Sequence, residues 1–237
     1  MFKKFIVFSV VCLISMSVLS IAFAEKQEWV EKTYDFSKVR RVTFFPPNPA
    51  DKLMNGINEN QIEEIYLNKI KLPTHVQHVR LGVIIEGIKA DTGIDLDAIG
   101  AKDPSEAIKL LVQNGSKYVD LIVFSTVFEY SIGSQYFEGY TYNTTSYQTS
   151  TVYGYGGSAT IQTPVTITNS VPGGNRPVAY ASVRFDVVDL QKGKNVITRL
   201  DDRARVATLS NTKPQDLYGR IIDAFMDDLS EKLQKSK

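Results

Sequence analysis

Cysteine is nearly absent from the sequence. The one cysteine is Cys12, within an apolar N-terminal run that we expect to be removed. The rest of the chain therefore has no disulfide, no thiolate nucleophile and no cysteine-based metal site. It is long enough to bury a core that can hold the fold together without such links.

A marked excess of charge is also lacking. The 237 residues carry a formal net charge of +1, and loss of residues 1–24, which include Lys3 and Lys4, changes it to −1. No run of basic residues interrupts this balance. The charge pattern therefore gives no reason to expect binding to nucleic acid or to anionic lipid.

Motifs for catalysis, metals and cofactors are missing as well. The only histidines, His75 and His78, have a spacing that predicts two polar residues on the solvated face of a helix. Asp91-Thr92-Gly93 matches the short aspartic-protease signature, but there is no second copy, and a glycine-capped helix end is the favoured interpretation. We predict no catalytic residue, no cofactor and no metal site, and the lack of a motif favours a non-catalytic protein over an enzyme.

The N-terminal segment has the features of a bacterial export signal. Lys3 and Lys4 precede an uncharged apolar run that ends in Ala22-Phe23-Ala24. A positive head, an apolar middle and two small residues at the end are typical of a secretory signal peptide. We predict a signal peptide over 1–24. A retained membrane anchor is the alternative, because about 18 apolar residues can cross a bilayer.

A lipid anchor on Cys12 is not expected. Val11 occupies the place where a lipoprotein signal needs a small residue, and little apolar sequence precedes the cysteine. We therefore predict an exported protein that is periplasmic or associated with the bacterial cell envelope. We expect no lipid anchor, and no stable membrane anchor once the signal is cleaved.

The mature chain, 25–237, predicts a single α+β domain. Helical spacing of apolar residues occurs over 60–72, from Pro73 to Ile84, from Asp103 to Gly115 and over 214–235. Strand patterns occur over 38–46, 117–130, 178–190 and 195–209. The predicted fold is a mixed, mainly antiparallel sheet of about four strands, with helices on one face.

The last two strands predict a hairpin across the turn at 191–194. Alternation of apolar and polar residues favours one register, because a one-residue slip turns a strand inside out. In that register Leu200 is buried and Arg199 is exposed. The predicted cross-strand pairs are Asp186–Arg199, Arg184–Asp201, Phe185–Leu200 and Ala181–Ala204.

Residues 131–177 form an insertion of unusual composition. The segment is rich in Thr, Tyr, Ser and Gly, and Glu138 and Arg176 are its only charged residues. It predicts either an extended β-arm or a loop. Aromatic rings among hydroxyl groups are suited to stacking on a partner. The candidate partner-binding residues are Tyr140, Tyr142, Tyr147, Tyr153 and Tyr155.

Two short motifs carry a resemblance to a known group of proteins. The run from Tyr34 to Val42 (YDFSKVRRV) resembles the start of certain bacterial envelope lipoproteins. The run from Arg184 to Lys194 (RFDVVDLQKGK) is similar to their strand, aspartate and Gly-Lys turn. That group resembles the periplasmic domain of the curli secretion protein CsgG and the N-terminal domain of TolB. The resemblance implies a mixed sheet and a role in assembly or binding.

Three functional hypotheses follow from these features. The first is a non-catalytic envelope protein that binds a protein or polymer partner, possibly as an oligomer. The second is a secreted hydrolase without a recognisable motif. The third is a pore subunit that uses residues 139–171 as a membrane hairpin, because a membrane-spanning strand needs about ten alternating residues. Thr163 and Asn169 interrupt the apolar side of that hairpin.

Overall fold

The computed structural model describes residues 22–50, 58–154, 157–206 and 213–234. The chain divides into two compact units. The main unit is Met1–Gly133 with Val178–Lys237, and the second unit, which we call the arm, is Ser134–Pro177. The arm falls inside the predicted insertion. Of the predicted signal peptide, only residues 22–24 are described.

The described residues contain nine β-strands in two sheets. They are β1 (Ala22–Val30), β2 (Arg41–Phe44), β3 (Asn48–Pro49), β4 (Gln77–His78), β5 (Leu121–Phe137), β6 (Tyr140–Gly154), β7 (Gly157–Val171), β8 (Gly174–Asp189) and β9 (Lys194–Val206). The larger sheet has the order β1-β9-β8-β5-β2-β4, with β3 also paired to β5. β1 and β8 pair antiparallel with β9, whereas the short strands β2 to β4 make parallel pairs.

Helices pack on both faces of the larger sheet. The described α-helices are α1 (Glu59–Asn68), α2 (Leu81–Thr92), α3 (Leu96–Gly100), α4 (Pro104–Asn114) and α5 (Pro214–Gln234). Leu121 and Val123 of β5 belong to the core cluster with α1 and α5, and Ile122 belongs to the cluster with α2, α3 and α4. The predicted α+β class and mixed sheet are confirmed. Four strands and helices on one face are wrong, because a central strand that is apolar at every position needs cover on both sides.

The C-terminal helix closes the core as its sequence predicts. The apolar stripe of α5 is buried along its whole length. Its members are Leu217, Ile221, Phe225, Leu229 and Leu233. The ring of Phe225 stacks on Phe185 of β8, with 3.9 Å between ring centroids and 2° between ring planes. No described helix has the length and apolar character needed to span a membrane.

The helix predicted to begin at Pro73 is wrong. His75 lies in a turn, His78 lies in β4, and α2 begins at Leu81. The end of α2 agrees with the sequence, because Gly93 is its C-cap with φ of +74°, in the left-handed region that favours glycine. The glycine-capped interpretation of Asp91-Thr92-Gly93 is therefore confirmed.

Strands β8 and β9 form the predicted hairpin, but the predicted register is wrong. Phe185 pairs with Arg199, and Arg184 pairs with Leu200. Residues directly opposite each other in antiparallel strands lie on the same face. Arg199 therefore shares the buried face of Phe185 and is 1% exposed, whereas Leu200 is only half-buried on the other face.

A β-bulge near the turn causes this shift. Val187 pairs with Ile197, but Val188 pairs with Asn195, so that Val196 is an extra residue in β9. An extra residue reverses which side chains face the core from that point on. Val196 and Ile197 are both buried. Because both neighbouring residues at the bulge are apolar, the pattern there is compatible with the predicted register and with the observed one.

The shifted register brings a chain of charged side chains into the layer between β9 and α5. Arg199 donates to Asp201 and to Asp228 of α5, each at 2.7 Å. Arg203 donates to Asp201 at 2.9 and 3.1 Å, and Lys26 of β1 donates to Asp228 at 2.5 Å. Burial alone would raise the pKa of Asp228. The hydrogen bond from Lys26 and the charges of Lys26 and Arg199 outweigh it and hold the pKa below its ordinary value.

Candidate functional site

The arm is a long two-stranded antiparallel hairpin. β6 and β7 pair from Tyr140–Val171 to Gly154–Gly157 without a register shift. Fifteen residues per strand give it a length of roughly 50 Å. Of the two structures predicted for the insertion, the structure therefore shows the β-arm.

The register gives the described part of the hairpin two different faces. Each face is formed by alternate residues of both strands. The apolar face carries Tyr140, Tyr142, Thr144, Ser146, Val165, Ile167, Asn169 and Val171. The hydroxyl face carries Thr141, Asn143, Thr145, Tyr147, Pro164, Thr166, Thr168 and Ser170. No charged residue occurs on either strand.

Large apolar side chains are exposed on the apolar face. The exposed fractions are 46% for Tyr140, 42% for Tyr142, 39% for Val165 and 46% for Ile167. Asn169 interrupts this face, but its side-chain amide donates to Thr144 Oγ1 across the hairpin at 2.9 Å. A polar group with an internal partner costs less to cover than one without. Asn169 therefore does not prevent another surface from packing here.

The five candidate tyrosines do not form one group. Tyr140 and Tyr142 lie side by side, with ring centroids 6.1 Å apart. Tyr147 is on the hydroxyl face and is 64% exposed. The backbone of Tyr153 pairs with Ser158, but its side chain lies outside the described part, as does the whole of Tyr155. Their role in binding stays a prediction.

Two glycines allow the two backbone segments at the base of the hairpin to approach each other closely. Gly139 precedes β6 and Gly173 follows β7. A Cβ atom placed on Gly139 would lie 2.6 Å from the backbone nitrogen of Gly173, and one on Gly173 would lie 2.7 Å from that of Gly139. Neither position can accept a side chain unless the backbone moves. The base of the arm therefore depends on this glycine pair.

The two motifs that carry the resemblance meet at a polar cleft in the main unit. The cleft has a volume of about 540 Å³. Its lining includes Tyr34 and Asp35 from the first motif, Asp189 and Lys192 from the second, and Asp120 before β5. Burial, followed by the hydrogen bond to Asp189, raises the pKa of Tyr34 far above its ordinary value. The Lys192 ammonium lies 4.8 Å from the centre of the Tyr34 ring.

The carboxylates of this cleft hold backbone groups. Asp120 accepts from the N–H groups of Arg40 and Arg41 at 2.8 and 2.9 Å. Asp189 accepts from the N–H of Lys192 at 2.8 Å, which fixes the turn between β8 and β9. Carboxylates that satisfy backbone donors stabilise the loops around them. The cleft can thus be explained as the structural junction of the two motifs.

The remaining residues considered for chemistry lie apart. His75 Nε2 is 3.2 Å from the carbonyl oxygen of Leu233, whereas the His78 ring packs against Phe44 with 5.4 Å between centroids. Asp91 accepts from Lys117 and from the hydroxyl of Tyr118. No group of His, Cys, Asp and Glu suited to a metal ion occurs in the part of the chain that is described.

No family model and no curated protein matches the chain. Among solved structures it is similar to the PelC dodecamer from Paraburkholderia phytofirmans, at 13% identity and a TM-score of 0.38, covering 91% of this chain and 100% of that one. Lipoprotein GNA1162 from Neisseria meningitidis gives 16% identity and a TM-score of 0.34, covering 81% of this chain and 99% of that one.

A third match is the hypothetical protein CT253 from Chlamydia trachomatis. Its identity is 11% and its TM-score 0.37, covering 82% of this chain and 98% of that one. None of these three structures is CsgG or TolB, so the resemblance to them stays a prediction. Identities and TM-scores this low carry no functional conclusion, and the function is argued from the residues of the chain itself.

Proposed function

We propose that this is a non-catalytic, exported protein of the bacterial cell envelope that binds a protein or polymer partner through the apolar face of its arm. The observation that carries this proposal is the exposure of Tyr140, Tyr142, Val165 and Ile167 on one face of an uncharged hairpin. Contiguous exposed apolar surface is typical of interaction sites. The predicted export signal supports an envelope partner.

The limited strand pairing of the hairpin gives a second argument for a partner. A two-stranded hairpin alone is marginally stable in water, and a third strand or a packed face is usually needed. In the described residues β6 pairs only with β7. A partner that covers the apolar face would supply the missing packing.

Site-specific photocrosslinking tests this proposal. A photoreactive phenylalanine analogue is placed at Tyr142, on the apolar face, and in a matched control at Tyr147, on the hydroxyl face. Cells that export the protein are irradiated, and protease treatment of the adducts separates protein partners from polymers. We expect adducts at Tyr142 and few at Tyr147. Equal crosslinking at both positions, or none at Tyr142, would contradict the proposal.

Insertion of the hairpin into lipid is the second candidate function. It is favoured by the absence of charge between Glu138 and Arg176 and by the internal hydrogen bond of Asn169. An arginine in a lipid-facing position costs about 2–4 kcal/mol at the midplane of a bilayer. Ile167→Arg should then abolish flotation of the protein with neutral lipid vesicles, whereas Thr166→Arg should have a much smaller effect. A wild-type protein that does not float contradicts lipid insertion.

A further inference from the structure

One edge of the seven-stranded sheet is a strand with an ordered pattern of charge. β1 is the terminal strand of the sheet and pairs on one side with β9, from Ala22–Arg205 to Val30–Ile197. No described strand pairs with its other side. Its single tryptophan, Trp29, is 51% exposed at this edge.

A hydrogen bond just after β1 fixes which residues face outward. The N–H of Glu31 donates to the carbonyl of Val196 at 2.9 Å, in line with the register of β1 and β9. Residues directed towards the neighbouring strand alternate along an antiparallel pair. The odd-numbered residues of β1 therefore bond to β9, and the even-numbered ones present N–H and C=O groups outward. Lys26 and Glu28 are among these outward residues.

This alternation restricts how β1 could pair with a copy of itself. In an antiparallel pair of two β1 strands, each residue with outward N–H and C=O groups must lie opposite another such residue of the second copy. These are the even-numbered residues, so the two-fold axis must pass through a residue and not between two residues. An axis at Lys26 or at Glu28 sets like charges against each other. An axis at Gln27 pairs Lys26 with Glu28 of the second copy, and the reverse. Within β1, only this register pairs opposite charges.

We propose that β1 pairs antiparallel with β1 of a second copy of this chain, about a two-fold axis through Gln27. The pairing satisfies the outward backbone groups of both edges. A lysine at an edge usually discourages strand addition, but here it meets a glutamate. Trp29 lies opposite Glu25 of the second copy and loses part of its exposure. This inference uses no residue of the arm and stands apart from the proposed function.

The ion pairs that Lys26 and Glu28 make within one chain also favour a second copy as the partner. Lys26 contacts Asp228 at 2.5 Å and Glu28 at 3.2 Å, and Glu28 also contacts Lys232 at 3.4 Å. Signs alternate along this chain of contacts. In the dimer, Lys26 gains Glu28 of the second copy as a further neighbour of opposite sign, so the alternation continues across the axis.

Disulfide trapping tests the register. Gln27 and its symmetry mate would form a non-hydrogen-bonded pair with Cα atoms about 4.5 Å apart, within the range that a disulfide can bridge. In the same register, residues 26 of the two copies would lie roughly 8 Å apart, beyond that range. Gln27→Cys, Lys26→Cys and Glu28→Cys are made in a Cys12→Ser background, where no other cysteine remains. Ser105→Cys in α4 is an exposed control.

The variants are oxidised at equal concentration and separated without reductant, and circular dichroism checks that each is folded. We expect at least about fivefold more covalent dimer for Gln27→Cys than for the other three, because only it meets the geometric limit. Sedimentation of the wild type should show a concentration-dependent dimer whose Trp29 emission shifts to the blue. Equal trapping at all positions, preferential trapping at 26 or 28, or a wild type that is monomeric at every concentration overturns the proposal.

Discussion

Arg199 should be one of the most sensitive positions of the fold, although it is charged. Arg199→Ala removes two hydrogen bonds to carboxylates, each of 2.7 Å, and leaves Asp201, which is 1% exposed, with Arg203 alone. Breaking a buried ion pair by deleting one partner costs about 3–5 kcal/mol, because it leaves an uncompensated charge. The contact that remains with Arg203 favours the lower part of that range.

Urea denaturation followed by circular dichroism measures this cost. A loss of about 3 kcal/mol lowers the midpoint by roughly 1.5 M if the slope is near 2 kcal/mol per molar urea. Arg184→Ala is the matched control. Arg184 also pairs with an aspartate two residues away, but its side chain is 45% exposed, so its loss should cost less than about 1 kcal/mol. Midpoints for the two variants that agree within error would refute the buried role of Arg199.

A double variant separates charge from packing. Replacing Arg199 by Met and Asp201 by Leu removes both buried charges and fills the space with apolar atoms. Buried ion pairs replaced in this way often leave stability unchanged or raise it. We expect the double variant to be more stable than Arg199→Ala. A double variant that is less stable would show that the ion pair itself, and not an unpaired Asp201, carries the energy.

Three further predictions concern acid stability, the base of the arm and export. Because the pKa of Asp228 is lowered in the folded protein, its stabilisation is present above the ordinary carboxyl pKa, about 4, and is lost as the pH falls through the lowered folded value. Asp228→Asn should therefore reduce the fall in melting temperature between about pH 5 and pH 2. An unchanged slope of melting temperature against pH would contradict this. Gly139→Ala should weaken hydrogen-exchange protection of the β6 amides, whereas Gly174→Ala, where an added Cβ meets no atom within 4 Å, should not; equal protection in both variants argues against the close approach. Intact mass of the exported protein should show a chain that begins at Glu25, and a retained Met1 or a lipid on Cys12 would rule this out.

Helices with strong end signals could be predicted from the sequence to within a few residues. Asp103 caps α4 by accepting from the N–H groups of Ser105 and Glu106, and Pro104 occupies the first turn, as the sequence indicates. The stripe of α5 also lies where its four-residue spacing places it. These features depend on neighbours in sequence, so no knowledge of the tertiary fold is needed.

Strand β1 could not be predicted in this way. Its first three residues belong to the predicted signal peptide, and the following Glu-Lys-Gln-Glu has no apolar alternation. An edge strand that covers few core residues leaves little hydrophobic pattern. Its place beside β9 depends on backbone hydrogen bonds and on the contact between Lys26 and Asp228, which join residues about 200 positions apart.

In the arm, composition is compatible with a β-arm or a loop and does not divide the tyrosines between faces. The division depends on the register of β6 and β7, in which Tyr140 pairs with Val171. Val165, Ile167 and Val171 share a face in this register. Tyr140 and Tyr142 thus share the apolar face and Tyr147 lies on the other, while the binding role of all five tyrosines stays a prediction.

The register of β8 and β9 shows where the argument from apolar burial fails, and which residue contained the missing signal. That argument assigned Arg199 and Asp201 of β9 to solvent, because an unpaired buried charge is costly. The cost changes when a partner is present on the opposing helix. Asp228 follows Phe225 by three residues, which places it next to the buried stripe of α5 and opposite Arg199. The carboxylate of Asp228, beside the apolar stripe of α5, is thus the partner that makes a buried Arg199 on the inner face of β9 possible.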